Sequence, residues 1–361
     1  MTERPTWAKW VTRISLAVAI IALVFTIRDV GPRTLGGYLR RIGWWWIAIV
    51  ALEVLNTTLH STALRAFAAP DKLRLRSAIL AQLAGRAVNA VTPSGNLGEL
   101  VKMSVLTEVV NPSRAVATVL LYNVVSFTIE LGIVAIAAPF FALLVPMPTG
   151  LRWVFLGVSV ICFVASIGLY LLVRRGMLTS LVRAGVKLRL PWLSEDRYLR
   201  WESKLAGVDD KLRLVAATSK RERALGISAL LLSRISAIVL SMVIFYAVGR
   251  SISIGFIAAW TVGSFPIYLS STLVPMGLGV SEGGYYGLFR TLGYNPAVAV
   301  TVVIARRCIT IMYAAIGLVL VSTSETVKRV RAKQAERVAN TPQAPVTPLP
   351  IVPLAVADES E

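Results

Sequence analysis

The chain has 361 residues, 56% of them hydrophobic, and a mean hydropathy of +0.69, a composition that excludes an ordinary water-soluble domain and points to a bilayer. Its 38 Lys+Arg against 19 Asp+Glu give a formal net charge of +19. The basic residues cluster between apolar runs, in Arg65–Arg76, Arg174–Arg223 and Lys328–Arg337, as in cytoplasmic loops facing anionic head groups; no nucleic-acid-binding motif accompanies them, so no nucleic-acid partner is expected.

In chain order, apolar segments near 11–28, 44–64, 114–138, 152–173, 225–248 and 296–321 approach or exceed the ~20 residues that cross a hydrocarbon core. Arg4, Lys9 and Arg13 precede the first, as in a signal peptide. No small-residue cleavage site follows and Ile27-Arg28-Asp29 reads as a membrane exit, so a retained first helix is expected. Trp44, Trp45 and Trp46 open the second span as an interfacial anchor, and Trp153 and Tyr170 flank the fourth. Cys162 and Cys308 sit in apolar runs without metal or redox spacing and read as small buried residues.

Two further apolar segments, 77–109 and 252–293, are broken by TPSGNLGE (Thr92–Glu99) and VPMGLGVSEG (Val274–Gly283). Pro93, Gly95 and Gly98 shape the first turn, and Pro275, Gly277 and Gly279 the second. Each segment reads as a re-entrant hairpin whose halves do not cross alone, since broken backbone at membrane depth must be buried in protein or line a wet cavity. Basic loops placed inside give a cytoplasmic N-terminus, an external loop at Arg28–Arg41, a nearly uncharged turn at Pro139–Gly150 and a cytoplasmic C-terminus. The sequence therefore predicts an all-α polytopic membrane protein of about six spanning helices plus two re-entrant hairpins. Its two repeats, about 44–138 and 225–321, have opposite orientation, with a binding site between them. The linker 174–223 reads as amphipathic helices on the membrane surface or as a solvated connection. The membrane domain, 1–321, precedes a basic and Pro-rich tail, 322–361, expected to be disordered.

Ionisable groups at membrane depth are functional candidates because burying them unpaired is costly. They gather at the two breaks: Arg86 and Asn89 before the first, Glu99 and Lys102 after it, Glu282 closing the second, and Arg306-Arg307 within the last span. Glu99 and Glu282 either cap the following half-helices or cap them and share in a transport site. Arg86 and Arg306 either pair internally with Glu99, Glu130 or Glu282, or keep charge for an anionic lipid head group, which a guanidinium fork matches. His60, the single histidine, lies about two turns after Glu53; a structural role and a proton relay are both open. Neither a metal cluster nor a hydrolase triad is spelled out, no cofactor is implied, and no GxxxxGK[ST] motif offers an ATP site.

The run Arg86-x-x-Asn89-x-x-x-Pro93-Ser94-Gly95-x-x-Gly98-Glu99 resembles the first signature of the bacterial and archaeal flippase-like family. That family corresponds to the transmembrane part of lysylphosphatidylglycerol synthases. Pro275-x-Gly277-Leu278-Gly279-Val280-x-Glu282-Gly283 resembles its second signature, and Arg306 its arginine in the last helix. Leu97 and Leu100 stand where that pattern has glycine and often proline. The resemblance spans about residues 10–321. It implies a stand-alone translocase of the bacterial inner membrane, without the soluble synthase domain and not an enzyme. The cargo would be a phospholipid, an aminoacyl-phospholipid, or a polyprenyl-linked or hopanoid-type lipid. From the polar groups gathered at the breaks, Arg86, Asn89, Glu99, Lys102, Glu282 and Arg306 are the expected substrate-binding residues. Membrane lipids are the implied partners, with a separate lipid-modifying enzyme as another. The alternative is an intramembrane transferase using Glu99 as base.

Overall fold

The computed structural model describes residues 28, 32–91, 97–175, 219–249, 252–271, 274 and 277–339. Among these there are ten helices and no strand: α1 Pro32–Ile42, α2 Trp45–Phe67, α3 Leu75–Val91, α4 Leu97–Thr107, α5 Pro112–Leu144, α6 Thr149–Arg175, α7 Lys220–Ala247, α8 Ile254–Ser271, α9 Val280–Thr291 and α10 Pro296–Ala339. The chain divides into two units, Met1–Leu320 and Val321–Glu361. Every described residue of the second, 321–339, is helical. Lys, Arg, Gln, Glu and Ala there are strong helix formers; the Pro-rich residues 340–361 of the tail expected to be disordered lie outside the described part.

Among the described residues six helices are long and apolar enough to cross a membrane: Trp45–Phe67, Pro112–Leu144, Thr149–Leu171, Lys220–Ala247, Ile254–Ser271 and Pro296–Gly317. The span expected at 11–28 and the surface segment expected in 176–218 lie outside the described residues. Among the described residues α8, expected to be half of a hairpin, is with its 18 residues also long and apolar enough to cross. The Pro/Gly break begins only after Ser271, and Pro266 is absorbed within the helix, as transmembrane helices permit. Likewise α5 runs through Pro139 to Leu144, shrinking the expected turn Pro139–Gly150 to 145–148. The expected external loop Arg28–Arg41 is largely the short helix α1.

Local signals explain the helix starts. Asn111 caps α5 by accepting from Ser113 N–H at 3.1 Å, with Pro112 at the first helical position. Ser219 caps α7 by accepting from Glu222 N–H at 3.2 Å, so 220–223 belong to that helix and not to the linker. The widest helix–helix contact joins α2 to α7; α5 packs on α6, α3 on α4 and α2, and α8 on α9 and α5. One buried cluster joins Ile49, Leu83, Phe245, Trp260, Phe289 and Val302 of six different helices, fixing α8 and α9 against α7 and α10. Cys162 is buried within a second cluster, whereas Cys308 is exposed, against expectation; it follows Arg306 and Arg307 on the outward side of α10.

Candidate functional site

At the first break the polar groups satisfy one another. Asn89 Oδ1, near the end of α3, accepts from Gly98 N–H at 2.6 Å, which ties the two helices together across residues 92–96. Gly98 must be glycine for this: a Cβ there would lie 2.1 Å from Gly85 O and 2.3 Å from Asn89 Oδ1. Glu99, in the first turn of α4, accepts from Lys102 Nζ at 2.8 Å on one oxygen and from Asn123 Nδ2 at 2.7 Å on the other. The buried Lys102 ammonium also lies 5.3 Å from the centre of the Tyr122 ring, and the Tyr122 hydroxyl is 2.7 Å from His60 Nδ1. His60 and Glu53 therefore have different partners. Pro93 and Gly95 lie outside the described residues.

At the second break Gly277 and Gly279 adopt φ of 61° and 75°, a left-handed turn suited to glycine. The turn delivers Glu282 to the third position of α9, where its Oε2 accepts Gly279 N–H at 2.8 Å. Glu282 is fully buried and its other oxygen pairs with Arg307; Arg307 also reaches Ser281 Oγ at 3.3 Å. The capping role expected for Glu282 is thus explicit, together with an ion pair to α10. Pro275 lies outside the described residues.

The arginines do not pair as the sequence suggested. Arg86 pairs with Glu53 of α2, and not with Glu99, Glu130 or Glu282, and donates to Thr57 Oγ1 at 3.2 Å. Arg234 of α7 takes Glu130 at 2.8 Å and Ser126 Oγ at 3.1 Å. Arg306, at the middle of the span Pro296–Gly317, donates to Ser241 Oγ at 2.7 Å and more weakly to Ala237 O at 3.4 Å. Among the described residues no carboxylate lies within ion-pair reach of it.

Arg306 stands in the wall shared by two cavities. One, of about 400 Å³, is bordered by Glu130, Arg234, Trp260, Thr261, Ser264 and Tyr285. The other, of about 470 Å³, is bordered by Glu53, Asn56, Arg86, Asn89, Arg307 and Tyr313. Tyr268, Ser281, Val303 and Arg306 line both. Arg86, Asn89 and Arg306 are therefore brought to one cavity. Glu99 and Lys102 border neither, and Glu282 stands behind Arg307, which corrects the expectation that both glutamates rim a cavity shared with Arg86 and Arg306. The reason is that each glutamate is consumed locally, by Lys102 and Asn123 or by its own helix cap and Arg307. Glu53, Arg234, Tyr268 and Ser281 were not among the expected site residues. The available signal was a charged residue inside an apolar span, which Glu53 and Arg234 both carry.

A family model described as the lysylphosphatidylglycerol synthase transmembrane region matches residues 13–317. The chain belongs to that family. Both cavities and both breaks fall inside the matched region of this lysylphosphatidylglycerol synthase transmembrane-region protein, and with six apolar helices it is a multi-pass membrane protein. No curated protein and no solved structure matches the chain. Among the described residues no group of three or more His, Cys, Asp or Glu is placed to hold a metal ion.

Proposed function

We propose that the protein is a lipid translocase that moves an anionic, phosphate-bearing lipid between leaflets of the bacterial inner membrane, with both termini cytoplasmic. The observation that carries this reading is Arg306. Arg86, Arg234 and Arg307 are matched by Glu53, Glu130 and Glu282, which among the described residues leaves Arg306 without a carboxylate at mid-span, facing two cavities. An uncompensated cation at that depth is costly in the resting protein, and an anionic group that binds there recovers the cost. Guanidinium forks match phosphate geometry, and Arg86 on the same cavity wall is the second contact. The inverted pair of repeats, about 44–138 and 225–321, would let the two cavities open to opposite sides. Membrane lipids are the partners in this reading, and a separate enzyme that makes the lipid would be another.

The test is leaflet exchange of fluorescent phosphatidylglycerol in vesicles carrying the full-length protein, read by quenching of the outer leaflet. Wild type should exchange the lipid, and Arg306→Ala should slow it at least about tenfold, ~1.4 kcal/mol of barrier, while retaining its unfolding temperature. Normal exchange by Arg306→Ala would remove the residue from the path. The transferase alternative receives no support from the geometry, because both oxygens of its candidate base, Glu99, already accept hydrogen bonds.

A further inference from the structure

The charge and hydrogen-bonding pattern of the two cavities bears on which head group fits. Four guanidiniums face them, those of Arg86, Arg234, Arg306 and Arg307, against the carboxylates of Glu53 and Glu130 on the walls and of Glu282 behind Arg307, so the surplus is the charge of Arg306. Both wall carboxylates are already held by a guanidinium, Glu53 by Arg86 and Glu130 by Arg234. A head group bearing an ammonium would meet, among the described residues lining the cavities, only carboxylates whose charge a guanidinium already balances. It would sit beside surplus positive charge in a site of low dielectric, where like charges repel strongly.

The neutral polar groups point the same way. Thr261 Oγ1, on the wall of the first cavity, and Asn56 Oδ1, on the wall of the second, are buried without a hydrogen-bond partner. Asn56 is only 7% exposed. Buried polar atoms are normally paired, and an orphan marks a missing partner. One orphan is a hydroxyl and the other an amide oxygen. Each can accept from a ligand hydroxyl, and neither carries the negative charge that would balance an ammonium. Thr261 and Ser264 border the first cavity and Asn56 the second, with Arg306 lining both.

Resting on the translocase reading, we infer that the site selects lipids whose head group joins a phosphate to uncharged hydroxyls, such as a glycerol, inositol or sugar. It discriminates against head groups carrying an ammonium. Arg306 takes the phosphate, and Thr261 and Asn56 take hydroxyls on either side. The family is described by a lysyl-lipid synthase, yet a lysyl head brings two ammonium groups into a site whose surplus charge is positive.

Two measurements on the full-length protein test this and keep it separable from the translocase reading. In the first, native mass spectrometry reads the lipid bound after incubation in detergent with an equimolar mixture. The mixture contains phosphatidylglycerol, phosphatidylinositol, phosphatidylethanolamine and lysyl-phosphatidylglycerol. The two hydroxyl-bearing lipids should be retained at least about tenfold over the two ammonium-bearing ones, as expected when an unpaired charge is forced against like charge. Ser264→Asp, which adds a carboxylate to the first cavity, should narrow that ratio at least about threefold, and Arg234→Gln, which releases Glu130, should do the same. Equal or preferential retention of lysyl-phosphatidylglycerol or phosphatidylethanolamine by wild type overturns the inference, as does an unchanged ratio in both folded variants. The second measurement is leaflet exchange of the same four lipids. Selective binding without exchange of any of them sinks the translocase reading and leaves the selectivity standing. Exchange of all four at one rate sinks the selectivity and leaves the translocase.

Discussion

In the first helix–break–helix segment, α3 with α4, the polar groups are spent on one another. Asn89 receives Gly98 N–H, and Glu99 is shared by Lys102 and Asn123. In the second, α8 with α9, they are passed to the next helix: Glu282 caps its own turn and draws Arg307 from α10, and the adjacent Arg306 faces the cavities with Ser241 Oγ and Ala237 O as its partners among the described residues. The two segments carry the same signature, a Pro/Gly break ending in glutamate. They differ in where the cation that meets the glutamate comes from. Lys102 lies three residues after Glu99 on the same helix, so that pair closes on itself. Arg307 lies 25 residues after Glu282, so that pair welds two helices and orients the neighbouring arginine as a consequence. A shared motif thus yields a packing unit in one place and a binding wall in the other.

The largest test of this contrast is the loss of each glutamate. Glu282 is fully buried, and Glu282→Ala leaves Arg307 without its carboxylate and Gly279 N–H without its cap. Stability in detergent should fall by about 3–5 kcal/mol, the range for breaking a buried pair. The Glu99 side chain is 24% exposed, and Glu99→Ala should cost about 1 kcal/mol. Thermal or chemical unfolding followed by circular dichroism reads both. Equal losses would mean that the two breaks are built alike.

Glycine substitutions probe the same contrast in the backbone. Gly98→Ala drives a Cβ to 2.1 Å from Gly85 O, so the helices must separate and the Asn89 bond weakens. About 1–3 kcal/mol of stability should be lost, as for other overpacked sites. At the second break Gly283 has open space around its missing Cβ, and Gly283→Ala should change stability by no more than about 0.5 kcal/mol. A Gly98→Ala protein that unfolds with wild-type Tm would show that the close approach of α3 and α4 is not needed.

How far these features were legible in the sequence follows from their range. Helices, breaks and caps were readable because they depend on neighbours a few residues apart: Pro112 after Asn111, Glu282 three residues after Gly279. The end of α5 was misjudged because Pro139 was taken as the start of a turn, whereas a transmembrane helix tolerates proline when its freed carbonyl finds another donor. The partners of the arginines were not readable. Arg86 meets Glu53 across 33 residues, and Arg234 meets Glu130 only because α7 packs beside α5. Which carboxylate a deep arginine finds depends on helix rotation, and apolar spans that are hydrophobic all round carry little information about rotation. The same lack of a polar face hid Tyr268 and Ser281, ordinary residues in sequence that line both cavities.

The smallest expected effect on exchange is the one that would most sharply relocate the path. Lys102 is buried and paired with Glu99, and it lines neither cavity, although its place beside the first break puts it among the expected substrate-binding residues. Lys102→Met keeps the apolar stem that packs against Gly85 and removes only the charge. It should cost about 1 kcal/mol of stability, because the carboxylate left behind is the 24% exposed one and Glu99 is still held by Asn123. Phosphatidylglycerol exchange should stay within about twofold of wild type, less than ~0.5 kcal/mol of barrier, against the tenfold loss expected for Arg306→Ala. If Lys102→Met instead abolishes exchange in a protein with near-normal Tm, the first break carries substrate as well. The polar chain from Glu99 through Lys102 and Tyr122 to His60 would then be part of the path and not merely the packing of α3 and α4 on α5.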